Sequence, residues 1–247
     1  VRSRIVPGVR LDPAPDGAAT PGTDARRWAG RLARRGALLL VAFVALTLAV
    51  QAGLWRRLDT ALVAPLVSPG LPCGVLRVGY ALSPWLSAEL TLLATAAVAA
   101  LLWWRTRRWR WTWLAAGLLA TIPIELAAKQ WVDQPAPPSS AIQREAVCGR
   151  EGYPLTIVVA PHSYPSGWAT RLSYLATLGS LALAQPHRRA RATLAAGTLL
   201  LAATRVLIGW HWPSDVAGAL VLGSGCACLA AALSPLAHRA AEPEPDR

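Results

Sequence analysis

Apolar blocks at residues 36–55, 84–104, 111–128, 168–184, 193–209 and 214–237 alternate along this chain with polar segments. A helix needs about 20 such residues to cross a hydrocarbon core about 30 Å thick. Inside that core only helices and closed barrels satisfy their own backbone. The blocks are far longer than barrel strands, so the expected fold class is all-α: a polytopic membrane protein with six transmembrane helices.

Charge fixes the orientation. Only 15% of residues are charged, yet the formal net charge is +12 and mean hydropathy is +0.36. Clustered arginines at 26–35, 105–110 and 188–191 fall between apolar blocks, all on one side if the blocks alternate in direction. The positive-inside rule makes that side cytoplasmic, with both termini there. A nucleic-acid binder is excluded, because its basic residues would run along a folded surface. The expected organisation is a disordered basic tail at 1–35, a membrane domain at 36–237 and a disordered tail at 238–247. The first apolar block is long enough to span and lacks a small-residue cleavage site, so it is expected to be an uncleaved helix rather than a signal peptide.

Four cysteines show no C-x-x-C spacing of a zinc site. Cys226 and Cys228 lie in an apolar block and are expected to pack. Cys73 and Cys148 fall in loops placed outside the cell, where a disulfide between them is permitted.

The chemistry concentrates at Thr204–Asp215, where an apolar block ends and a cation, an imidazole and a carboxylate arrive within twelve residues. Arg205 can fork onto a phosphate. His211 can act as a nucleophile. Asp215, four residues on, can share its helical face and orient the ring. Pro213 suits the first turn of a helix. The plainer reading is an acid favoured by the helix dipole and aromatic residues at a membrane surface; Trp210 and Trp212 are read as anchors of this second kind.

Helix direction brings further residues to the same face. Lys129, the sole lysine beside 24 arginines, ends the third span there. Pro165-Ser166-Gly167 opens the fourth. Glu125, in the outer half of the third span, is expected to face protein or a polar cavity.

With these three segments the chain resembles the PAP2 (type 2 phosphatidic acid phosphatase) family, related to vanadium haloperoxidases. Its pattern is K-x6-R-P, then P-S-G-H, then S-R-x5-H-x3-D. This chain reads Lys129-x6-Ala136-Pro137, Pro165-Ser166-Gly167-Trp168 and Thr204-Arg205-x5-His211-x3-Asp215. The resemblance implies a PAP2-type helical bundle. It also implies that His211 attacks phosphorus to form a phospho-histidine, that Asp215 orients it, and that Lys129, Ser166, Gly167 and Arg205 hold phosphate oxygens. No metal or other cofactor is implied. A haloperoxidase role, which would need a soluble fold and a complete anion cage, is disfavoured.

Two positions depart from the pattern. Ala136 stands where a phosphate-holding arginine is expected, and Trp168 where the general-acid histidine is expected. Neither can replace the missing group. His162, in the same outer loop, is a candidate substitute acid, although a plain loop histidine is the commoner case. Arg144 or Arg150 are candidates to reach the phosphate. A diphosphate leaving group needs less protonation than an alkoxide, so the expected substrate is a lipid phosphate or diphosphate, such as a polyprenyl diphosphate. The expected partners are the bilayer and that lipid. The alternatives are a catalytically weakened homologue that binds headgroups or serves as a partner subunit, and, least supported, a transporter or scaffold.

Overall fold

The computed structural model describes residues 21–66, 73–74, 87–107, 109–137, 162–182, 188–207 and 209–236. Among them the regular structure is helical. Helix α1 is Pro21–Gln51, α2 Arg56–Leu66, α3 Ala88–Thr106, α4 Thr112–Trp131, α5 Gly167–Ala182, α6 Arg188–Leu207 and α7 Pro213–Leu233.

Helix α7 is the central post. It packs against α1, α4 and α5, with lighter contact to α2 and α6. Of its apolar span 61% is buried in protein, against 12–22% for the other four long apolar helices. Composition explains the difference. Small residues let neighbouring backbones approach closely in a bilayer, where apolar association alone offers little. A Cβ at Gly223 would collide with Ser173 Oγ and the Thr170 carbonyl of α5. That approach lets Ser173 Oγ donate to the Ala219 carbonyl at 3.2 Å, and it puts the Thr177 and Ser224 hydroxyls 3.1 Å apart.

Five helices are long and apolar enough to cross a membrane: α1, α3, α4 with the 3₁₀ turn Trp109–Trp111 before it, α6 and α7. The fourth expected span coincides with α5, whose 16 described residues reach about 24 Å at 1.5 Å per residue. The described residues therefore support five spans by length, with α5 as a shorter sixth helix of the bundle.

The N-terminal expectation needs correction. Helix α1 starts at Pro21, so residues 21–35, expected as part of a disordered tail, are helical. Arginine is a good helix former, Asp24 sits in the first turn where the dipole favours it, and Ala25 and Leu32 are buried. Residues 1–20 and 237–247 lie outside the described residues.

Residues 56–66, in the polar segment between the first two apolar blocks, form α2. Its Leu58 and Leu62 face outward, while Asp59 and Val63 on the other side are buried. Helix α3 starts at Ser87, whose Oγ accepts from Leu90 N–H at 3.2 Å. It ends at Arg107 in the left-handed region, φ 51°, a common helix stop. Cys73 is disulfide-bonded and Cys226 and Cys228 are free; Cys148, Arg144 and Arg150 lie outside the described residues.

The arginines at 26–35, 105–110 and 188–191 sit at the start of α1, the junction of α3 and α4, and the start of α6. The opposite end of the bundle gathers the last turns of α1, α4 and α6 with the first turns of α5 and α7.

Candidate active site

The turn from α6 to α7 is built by local rules. Gly209 takes φ 75°, a conformation that favours glycine because it lacks a Cβ. The chain then folds back so that the N–H groups of Trp210 and His211 both donate to the Arg205 carbonyl, at 3.1 and 3.2 Å. Trp212 follows in extended conformation, and Pro213 opens α7. Asp215 in the first turn accepts the Trp212 N–H on Oδ2 at 2.9 Å, the backward half of a capping box. The same Oδ2 lies 3.2 Å from His211 Nδ1. One oxygen thus starts the helix and orients the imidazole. Asp215 is fully buried, whereas the His211 side chain keeps 16% exposure. With Nδ1 held by the carboxylate, Nε2 is the nitrogen left to act as a nucleophile.

Burial holds the His211 imidazole below its ordinary value of 6.5. Asp215 pulls in the other direction, and the charges of Lys129 and Arg205 lower it further. The ring is therefore neutral at physiological pH, the form a nucleophile requires.

Arg205 is buried. Its guanidinium lies 4.0 Å from the Trp168 ring centroid and 5.5 Å from that of Trp210. Each such contact contributes about 0.5–1 kcal/mol when exposed and about 2 kcal/mol when desolvated. Trp168, at the position expected to hold a general acid, is thus a flat surface that fixes the orientation of Arg205. Trp210, read from sequence as an interfacial anchor, serves the same cation.

The start of α5 joins this turn through its backbone. Ser166 N–H donates to the Asp215 carbonyl at 3.1 Å. Ser166 and Gly167 are buried at the first turn, where helix N–H groups suit an anion. Just upstream, Tyr164 is wedged into the core. It stacks on Phe43 with centroids 6.2 Å apart, its hydroxyl lies 3.0 Å from that of Thr47, and burial pushes the phenol up to about 12.

Lys129 closes the third side. Its Nζ donates to the carbonyls of His162 and Ser163, at 3.3 and 3.1 Å, and lies 3.9 Å from Glu125 Oε1. His162 pins the same junction. Its Nδ1 donates to the Lys129 carbonyl at 2.7 Å, and its Nε2 is 3.3 Å from Asp133 Oδ1, an ion pair when that nitrogen is protonated as well. Both ring nitrogens are engaged with the end of α4. Ala136 is exposed, one residue after Pro135, whose carbonyl accepts Trp212 Nε1 at 2.7 Å. It lies at the rim of the site and offers no donor.

Three residues that the sequence reading passed over belong here. Asp59 of α2 accepts Ser214 N–H on Oδ1 at 2.9 Å and Ser214 Oγ–H on Oδ2 at 2.6 Å, a second carboxylate at the start of α7. Burial holds its carboxyl above the usual range against these hydrogen bonds, and the Asp215 charge adds to burial. Gln134 Nε2 donates to Ser214 Oγ at 3.1 Å and Asp59 Oδ2 at 3.4 Å. Arg171 of α5 donates to Glu125 Oε2 at 2.9 Å. Arg171 had a legible signal, an ionisable residue inside an apolar block; Asp59 and Gln134, in loop-like sequence, had none. Among the described residues no cluster of three or more His, Cys, Asp or Glu side chains could hold a metal ion.

The structure therefore brings Lys129, Ser166, Gly167, Trp168, Arg205, His211 and Asp215 to one end of the bundle. The sequence model of the PAP2 superfamily matches residues 110–239, which include all of them. A crystal structure described as the first transmembrane PAP2 type phosphatidylglycerolphosphate phosphatase, from Bacillus subtilis, shares the fold. Its TM-score is 0.55 at 17% sequence identity, over 79% of this chain and 94% of that one. No curated protein matches the sequence.

Proposed function

This chain belongs to the PAP2 superfamily, and on that premise we propose that it hydrolyses a lipid phosphate or diphosphate through a phospho-histidine on His211. The observation that carries the reading is the His211–Asp215 pair at 3.2 Å, set against the buried cations Lys129 and Arg205. His211 Nε2 attacks phosphorus, the P–O bond to the leaving group breaks, and the electron pair leaves with that oxygen. Water then attacks the phospho-histidine, releasing inorganic phosphate and the free imidazole. Lys129, Arg205 and the N–H groups at the start of α5 stabilise the charge that develops on the phosphoryl oxygens. Because the site lies at the end of the bundle opposite the arginine clusters, its face is extracytoplasmic.

Leaving-group protonation sets the substrate class. With Trp168 stacked on Arg205 and His162 tied to Lys129 and Asp133, no side chain is assigned as general acid, a function worth about 10²–10⁴-fold. A phosphate-type leaving group departs without that help. Purified protein is expected to release phosphate from a polyprenyl diphosphate faster than from phosphatidate; equal or faster turnover of phosphatidate would contradict this assignment.

The second reading, a non-hydrolysing homologue that binds phosphorylated headgroups, is favoured by one observation: Trp168 and Ala136 leave the site with cations but no proton donor. Headgroup binding without phosphate release from either lipid would establish it.

The lowered His211 value gives a pH dependence. A neutral imidazole attacks, so kcat/KM should hold at pH 6.5 and fall only further into acid. Stability follows the same sign. The folded protein binds fewer protons at this ring than the unfolded chain, so its contribution is present above about pH 6.5 and is lost as pH falls through the folded value. A kcat/KM profile whose acid limb is centred above pH 6.5 would contradict the burial-driven shift.

A further inference from the structure

Glu125 and Arg171 are ionisable groups inside apolar helices, and both are buried. A bilayer-depth pair of this kind is costly and usually functional. Their ion pair at 2.9 Å offsets charge, but its location adds more. The Glu125 carboxylate lies against the α-carbon of Gly167, so that a Cβ there would overlap both carboxylate oxygens. It also lies 3.9 Å from Lys129 Nζ. One carboxylate therefore touches three anion-binding elements at once: the first turn of α5, an ammonium and a guanidinium. Helical side chains lean toward the N-terminus, which carries the Arg171 guanidinium from one turn down α5 up to the level of Gly167.

We propose that Arg171 is a ligand of the substrate phosphoryl group, and that Glu125 holds it in place beside Lys129 and Gly167. This inference rests on the phosphatase reading for its substrate and names a residue that reading does not use. Arg171 supplies the second guanidinium that position 136, an alanine at the rim, does not. The phosphoryl group replaces the looser of the two contacts to Glu125, that of Lys129. The tighter one persists, because a guanidinium has five N–H donors in a planar fork and can serve a carboxylate and a phosphate together.

The test uses the full chain in lipid nanodiscs, with inorganic phosphate as the probe. Phosphate affinity is read from protection against thermal unfolding, and turnover separately from phosphate release. Arg171→Met alone leaves Glu125 buried with only the looser contact to Lys129 at 3.9 Å, and breaking a buried ion pair from one side is strongly destabilising. The informative variant is Glu125→Met with Arg171→Met, which removes both charges. It is expected to unfold no lower than the parent, yet to bind phosphate about 10–100-fold more weakly, the effect of losing a charge-assisted donor. Phosphate affinity equal to that of the parent would make the pair purely structural and overturn the proposal. Arg171→Lys covers the case in which the double variant fails to fold: the charge remains but the fork is lost, and unchanged phosphate affinity would again overturn it. A parent that binds phosphate in an Arg171-dependent way but releases none from any lipid would keep this inference and sink the hydrolase reading. Normal turnover with Arg171-independent binding would do the reverse.

Discussion

His211→Ala is expected to abolish phosphate release from lipid while leaving the protein folded and able to bind inorganic phosphate. Removing the nucleophile of a catalytic unit costs about 10⁶-fold in well-studied cases, which puts the residual rate at background. The side chain is partly exposed and its one described hydrogen bond is to Asp215 Oδ2, which Trp212 N–H also satisfies, so truncation leaves that oxygen still bonded. Asp215→Asn should cost about 10⁴-fold if the carboxylate acts as the orienting acids of hydrolase triads do. It should also lower stability, because the amide is a poorer acceptor for the helix cap. The measurement is single-turnover phosphate release, with trapping of the labelled protein in acid-labile form. Unchanged turnover in His211→Ala would remove this residue from the mechanism.

Arg205→Ala is expected to lower kcat/KM by about 10²–10³-fold, the range for losing one preorganised charge donor. A second loss follows from packing. Arg205 is 1% exposed, with the Trp168 ring 4.0 Å from its guanidinium, so truncation opens a void and removes the cation that two indoles enclose. Arg205→Lys should recover part of the activity, since it restores charge but neither the planar fork nor the stack. Kinetics and thermal unfolding of both variants check this. Full recovery in Arg205→Lys would show that only net charge matters at this position.

The helical membrane architecture was legible because apolar block length and arginine placement are dictated by the bilayer itself. The convergence of Lys129, Ser166, Gly167, Arg205, His211 and Asp215 was legible from helix direction. The start of α1 was not. Arginine-rich sequence looks like a solvated tail, and only the continuity of the helix from Pro21 shows that an apolar helix can extend through it. Helix α2 was missed for a related reason. Its buried face carries Asp59, whose partners Ser214 and Gln134 are 155 and 75 residues away in sequence, and no local pattern encodes such a contact. Trp168 was legible as a departure but not as a stacking partner, because the neighbour it serves comes from another helix.

The double duty of Asp215 Oδ2 makes that carboxylate a poor indicator of turnover. With or without hydrolysis, the chain needs an acid at 215 to begin its central helix, so half of the proposed nucleophilic pair would be retained for reasons of folding alone. The imidazole at 211 carries no such obligation. On the proposed mechanism, it is the residue at 211, in any variant natural or made, that would report whether the chemistry has been kept.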